Sequence, residues 1–173
     1  DWSSDVCSSD LSSTFAVADP AGNAQTSAGD TDRSVVYDVT APTVSLVQAS
    51  GQADPAKSDS IAFTFSSSED LRSASVTAAD FDATNGTVAS VTGSGSTYTV
   101  TATATGQGDV TVSFTGSVAD PAGNAQTTAG GTDRTVTYDS IAPTLTLEQA
   151  GGQADPAKNA SIAFAFTSSE PLD

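Results

Sequence analysis

The chain has 173 residues, with 21 Asp and Glu against 5 Lys and Arg and no His, a formal net charge of −16 at pH 7. So acidic a balance argues against nucleic acid and anionic membrane surfaces as partners. No apolar run approaches the roughly 20 residues that span a bilayer, so no membrane insertion is expected of this segment.

The first eleven residues, DWSSDVCSSDL, hold the only Trp, Trp2, and the only Cys, Cys7. They show neither strand alternation nor an apolar helical face, and they are too short and too acidic at the start for a secretory signal. The string resembles the in-frame translation of a common short-read sequencing adapter, so residues 1–11 are expected to be an artefact outside any fold. Setting aside Asp1, Asp5 and Asp10 leaves 18 acids against 5 bases, a net charge of −13. The cysteine-free remainder is compatible with secretion without oxidative folding.

The 56 residues from Val17 to Arg72 return without a gap, at an offset of 101, as Val118 to Asp173, with about 40 of 56 positions identical. The chain therefore reads as a window on tandem repeats. Residues 12–40 are the C-terminal remnant of one repeat, 41–140 a complete repeat, and 141–173 the N-terminal part of the next. A period of 101 is close to the roughly 100 residues of an immunoglobulin-like sandwich and far from the 20 to 50 of solenoids.

Within the complete repeat, period-two alternation marks half-buried antiparallel strands with Thr on the outer faces. Seven are predicted: Thr43 to Val47, Ser60 to Ser66, Phe81 to Thr84, Thr87 to Thr92, Ser96 to Thr105, Asp109 to Val118, and Asp133 to Asp139. Asn85-Gly86 predicts a tight hairpin between the third and fourth. Gly93-Ser94-Gly95 predicts the next turn and Gly106-Gln107-Gly108 the one after, while Ser73 to Ala79 reads as a short strand or a crossover. The inward set is Val44, Leu46, Ile61, Phe63, Phe65, Phe81, Val88, Val91, Tyr98, Val100, Val110, Val112, Phe114, Val136 and Tyr138. The fold class is all-β, an immunoglobulin-like antiparallel β-sandwich in tandem.

YDVTAPTVSL and YDSIAPTLTL, each preceded by ADPAGN, resemble the bacterial Ig-like repeats of large secreted adhesins and biofilm-associated surface proteins. The resemblance covers residues 12–173 and implies an extracellular or cell-surface stalk or adhesive module. Antibody-type domains are excluded, since the inter-sheet disulfide and buried Trp are missing.

Alternating strands carry three connections to the N-terminal pole of the repeat. They bring Glu69, Asp70 and Asp80, together with Asp120 and Asn124 of the DPAGN loop, to where the preceding repeat delivers Asp38. Such oxygen ligands suit Ca²⁺, which takes 6 to 8 oxygens in flexible geometry. Asp139 and Glu170 begin a second junction of the same kind, and Asp19 and Asn23 are the remainder of another. DPAGN is equally a good turn without any metal, and both readings stay open at this level.

Other motifs carry less. TGQGD and AGGTD lack the tandem recurrence of a glycine-rich calcium repeat and read as turns. Asn85-Gly-Thr and Asn159-Ala-Ser fit the glycosylation pattern, and Asp80 and Asp82 lack the cleft a glycosidase pair needs. No enzyme is expected, because Ser has no base to activate it, the lysines sit only in the GQADPAK turns, and Arg33, Arg72 and Arg134 are isolated. The expected function is a structural spacer of a bacterial surface or secreted adhesin with Ca²⁺ at its junctions. Its partners are the neighbouring repeats, with any host or matrix glycan or protein ligand bound elsewhere in the full protein. The alternatives are a carbohydrate- or receptor-binding module and an accessory array of a secreted polysaccharide-degrading enzyme. Exposed strand edges in the partial repeats predict a tendency to aggregate.

Overall fold

The computed structural model describes residues 18–24, 35–72, 75–131 and 133–172. The expected artefact at residues 1–11, part of the remnant repeat (12–17 and 25–34), Ser73, Ala74, Thr132 and Asp173 lie outside the described residues.

The described chain is all-β, with one 3-10 turn at Ala78–Asp80. The strands are β1 (Thr43–Gln48), β2 (Ser60–Ser67), β3 (Phe81–Thr84), β4 (Gly86–Ser94), β5 (Thr97–Ala104), β6 (Gly108–Phe114), β7 (Thr128–Gly130), β8 (Thr135–Tyr138), β9 (Leu145–Gln149) and β10 (Phe164–Ser168). They form a five-stranded sheet in the order β4-β5-β2-β1-β7, a three-stranded sheet β3-β6-β8, and a β9-β10 pair.

Alternation decides the packing. Ile61, Phe63 and Phe65 of β2 and Tyr98, Val100 and Ala102 of β5 point from the larger sheet into one core, where they meet Phe81, Val110, Val112 and Val136 of the smaller sheet. Phe65 is the hub, with ring centroids 5.2 Å from Phe81 and 4.9 Å from Phe114. Every residue of the predicted inward set is buried or packs against this cluster. Ala56, Leu71 and Val118 are also buried. Ala56 reaches the core because the GQADPAK loop is stapled to β8, its N–H donating to the Thr137 carbonyl at 2.7 Å while its carbonyl accepts from Asp139 N–H at 2.9 Å.

Two sequence expectations are corrected. Asn85-Gly86 is no hairpin turn: β3 pairs with β6 and β4 with β5, so this step carries the chain between sheets. Only Asn85 takes a left-handed φ, of 54°, and its amide donates to the carbonyls of Gly106 at 2.9 Å and Gln107 at 3.2 Å, clamping the other inter-sheet connection beside it. The AGGTD stretch is more than a turn, because Thr128–Gly130 forms β7, parallel to β1. The last predicted strand, Asp133 to Asp139, is β8, and β7 is an additional strand before it. At Gly131, where φ is 126°, a Cβ would collide with the Leu46 carbonyl; past this close approach the chain enters the smaller sheet as β8, antiparallel to β6. Ser73 to Ala79, left open as a short strand or a crossover, forms no strand among its described residues and connects β2 of the larger sheet, by way of the 3-10 turn, to β3 of the smaller.

Candidate metal centre

The DPAGN loop is built by its first residue. Asp120 Oδ1 accepts from the backbone N–H groups of Gly123 at 2.6 Å and Asn124 at 2.8 Å, and Oδ2 accepts from the Asn124 side-chain amide at 2.8 Å. Gly123 supplies the left-handed φ of 100° that lets the loop wrap around the carboxylate. The ends of the loop are tied by a bridge between Ala119 and Ala125, and Gln126 holds Val118 through both backbone and side chain. Asp120 is fully buried. Burial alone would raise its pKa, but the hydrogen bonds from Asn124, Gly123 and Ala122 favour the charged form and hold it below the ordinary carboxylate value.

Two further carboxylates converge on it. Asp38, on the strap entering the complete repeat, accepts from Thr40 N–H at 2.9 Å. Glu69 follows β2, and its Oε1 is buried with no hydrogen-bond partner. Ligand oxygens of Asp38, Glu69 and Asp120 all lie within 4.8 Å of one another. Burial raises the Glu69 pKa, and the charges of Asp38 and Asp120 raise it further. The group is thus a partly desolvated set of three mutually repelling acids, with an oxygen that no protein donor satisfies.

The donor set is all oxygen, with neither thiolate nor imidazole, which fits a hard cation such as Ca²⁺ better than a transition metal. The three carboxylates bring one oxygen each to the centre, leaving room for water in a shell of 6 to 8.

The other nominated residues occupy different places. Asn124 stands behind the acids: its amide nitrogen donates to Asp120 and also to the Asp38 carbonyl at 3.0 Å. Asp80 caps the 3-10 turn, accepting from Thr77 N–H and Oγ1 at 2.8 Å each. Asp70 lies over the β4–β5 turn, where a Cβ on Gly95 would come within 2.9 Å of its Oδ1. Both are therefore outside the convergent set. Asp19 and Asn23 reproduce the loop geometry of Asp120 and Asn124, and their hydrogen bonds, that of the Asn23 side chain first, lower the Asp19 pKa. Asp139 and Glu170 line one open cleft of about 460 Å³ with Tyr138, Ile141 and Ser169. Sequence reasoning missed Ser68, whose hydroxyl accepts from Thr43 N–H at 3.0 Å and ties the start of β1 to the Glu69 turn. Its recurrence as Ser169 was the available signal.

Comparisons with protein-family models, with curated proteins and with solved structures returned no match. Among the described residues, no helix is long and apolar enough to cross a membrane.

Proposed function

We propose that this chain is a run of immunoglobulin-like sandwich modules acting as a spacer in a large bacterial surface or secreted adhesin, with Ca²⁺ stiffening each junction. The observation that carries the reading is the meeting of Asp38 with Glu69 and Asp120. The first sits on the strap between repeats, and the other two belong to the repeat that follows. A cation held by all three ties the strap to the next module and cancels the repulsion that otherwise pushes them apart.

The repetition supports a spacer, since DPAGN and GQADPAK occur unchanged in both copies, whereas recognition loops usually vary. Extracellular modules of this ligand type bind at about 10⁻⁴ to 10⁻³ M. Such sites are empty at cytosolic calcium and filled outside the cell.

Thermal unfolding with a chelator and then with millimolar Ca²⁺ tests the reading. A site at the tight end of that range raises the midpoint by roughly 5 to 10 °C in a domain of this size. An unchanged midpoint returns the three acids to turn chemistry and surface charge.

A further inference from the structure

Two residues at the step between the sheets are each fixed by their surroundings. Asn85 has the left-handed φ of 54°, and its side-chain nitrogen donates to the carbonyls of Gly106 and Gln107. Its own carbonyl accepts from Thr105 N–H at 3.1 Å. Gly86 opens β4, paired with Ala104, and a Cβ there would stand 3.0 Å from the Thr103 carbonyl oxygen and 3.1 Å from Val110 Cγ1. The packing therefore calls for an amide at the first position and for no side chain at the second.

Together the two residues form a reactive junction. Asn is thermally labile, and a following Gly puts no side chain in the way of its own backbone nitrogen. The other asparagines, Asn23, Asn124 and Asn159, each precede Ala, whose methyl group crowds the same approach. For reaction, the Asn85 side chain must swing back over the peptide link to Gly86. Its two bonds to the neighbouring connection hold it away.

We propose that Asn85 is a site of self-modification, closed while its amide clamps the Gly106–Gln107 connection and open when local unfolding releases the clamp. In the open state the Gly86 backbone nitrogen attacks Asn85 Cγ. The N–Cγ bond forms, the Cγ–Nδ2 bond breaks, and the amide leaves as ammonia with the proton that Gly86 N–H gives up. Water then opens the cyclic imide on either side of its nitrogen. Breaking the bond to Cγ leaves Asp; breaking the bond to the backbone carbonyl carbon leaves isoaspartate, with the main chain rerouted through the side chain. Either product puts a carboxylate where the clamp needs a donor, so a brief opening becomes permanent. The inference does not depend on the calcium reading.

Peptide mapping by mass spectrometry of the full chain, incubated at mildly alkaline pH in buffer and in denaturing urea, tests it. In urea, conversion at Asn85 should outrun that at Asn23, Asn124 and Asn159. In buffer it should be about tenfold slower or more, the protection that two net hydrogen bonds sustain. Gly106→Val tests the clamp itself, because even a Cβ at Gly106 would lie 3.2 Å from Asn85 Oδ1. With its urea transition retained, this variant should convert faster than wild type in buffer and at the wild-type rate in urea. Should it not fold, the comparison of wild type in the two solvents decides. Asn85→Asp, which carries the carboxylate from the start, should have a lower urea midpoint than wild type. Equal wild-type rates in buffer and urea, or an Asn85 no faster in urea than the asparagines before Ala, overturns the proposal. So does a folded Gly106→Val chain that converts no faster than wild type in buffer, or an Asn85→Asp chain with the wild-type midpoint.

Discussion

The side-chain amide of Asn124 donates to the backbone carbonyl of Asp38, 86 positions earlier, at 3.0 Å. The same nitrogen holds Asp120 Oδ2 at 2.8 Å, so one amide sets the spacing of two proposed ligands from behind. Residues that orient ligands in this way typically cost 10 to 100-fold in metal affinity when removed. Asn124→Ala is therefore expected to weaken calcium binding about tenfold or more while leaving the fold intact. Calorimetric titration against wild type reads it, and an unchanged affinity would make Asn124 a turn residue only.

The acids also fix a pH profile for the metal-free chain. The Glu69 pKa is raised above its ordinary 4.5, so the folded state binds the proton more tightly than the unfolded one. Stability then falls as pH rises from about that value through the folded pKa. Asp120 has the opposite sign: its pKa lies below the ordinary 3.8, and the stability it contributes above that value is lost as pH falls through the folded pKa. In chelator, urea midpoints should thus decline from mildly acidic pH toward neutrality, and Glu69→Gln should remove that decline. Calcium should reverse the slope, because its ligands bind deprotonated. A decline that persists in Glu69→Gln would assign it to other groups.

Phe65 touches Phe81, Phe114 and Tyr98 across the two sheets and is fully buried. Truncation to Ala leaves a cavity that both sheets line, at a cost of about 3 to 5 kcal/mol. Urea denaturation should show this as a lower midpoint with the slope retained. A loss under about 1 kcal/mol would mean that the sheets collapse onto the gap.

Asn85 combines a left-handed φ with two carbonyl contacts across the inter-sheet step. Asn85→Gly keeps the backbone freedom and loses the contacts, at about 1 to 2 kcal/mol for bonds of this kind. Asn85→Ala loses both and should be the less stable of the two. The reverse order in chemical denaturation would refute the clamp.

The alternation of Ile61, Phe63 and Phe65, and of Tyr98, Val100 and Ala102, made the central strands legible, because a half-buried strand must point every second residue inward. The meeting of Asp38, Glu69 and Asp120 was legible for a similar reason, since alternating strands return loops to the same pole. What stayed hidden depended on partners. Asn85-Gly86 has the composition of a hairpin, but pairing with β6 and β5, set by distant side chains, sends β3 and β4 to different sheets. Thr128–Gly130 is too short and too poor in large side chains to show a period. Several loops each offered an acid, and only local donors, Thr77 for Asp80 above all, decided which stayed out of the trio.

The side-by-side course of β1 and β7, in the same direction over Thr43–Ser45 and Thr128–Gly130, bears on how such a module meets a mechanical load. Under the proposed spacer reading, a pull on the two ends enters the repeat at β1 directly and reaches β7 only through β8, the strand that leaves the repeat. Neighbours that run the same way must then slide past each other, so their cross-links strain together, whereas strands peeled from a hairpin end release one link at a time. On that reading the short parallel seam would resist sliding once the load has passed through β8 to β7.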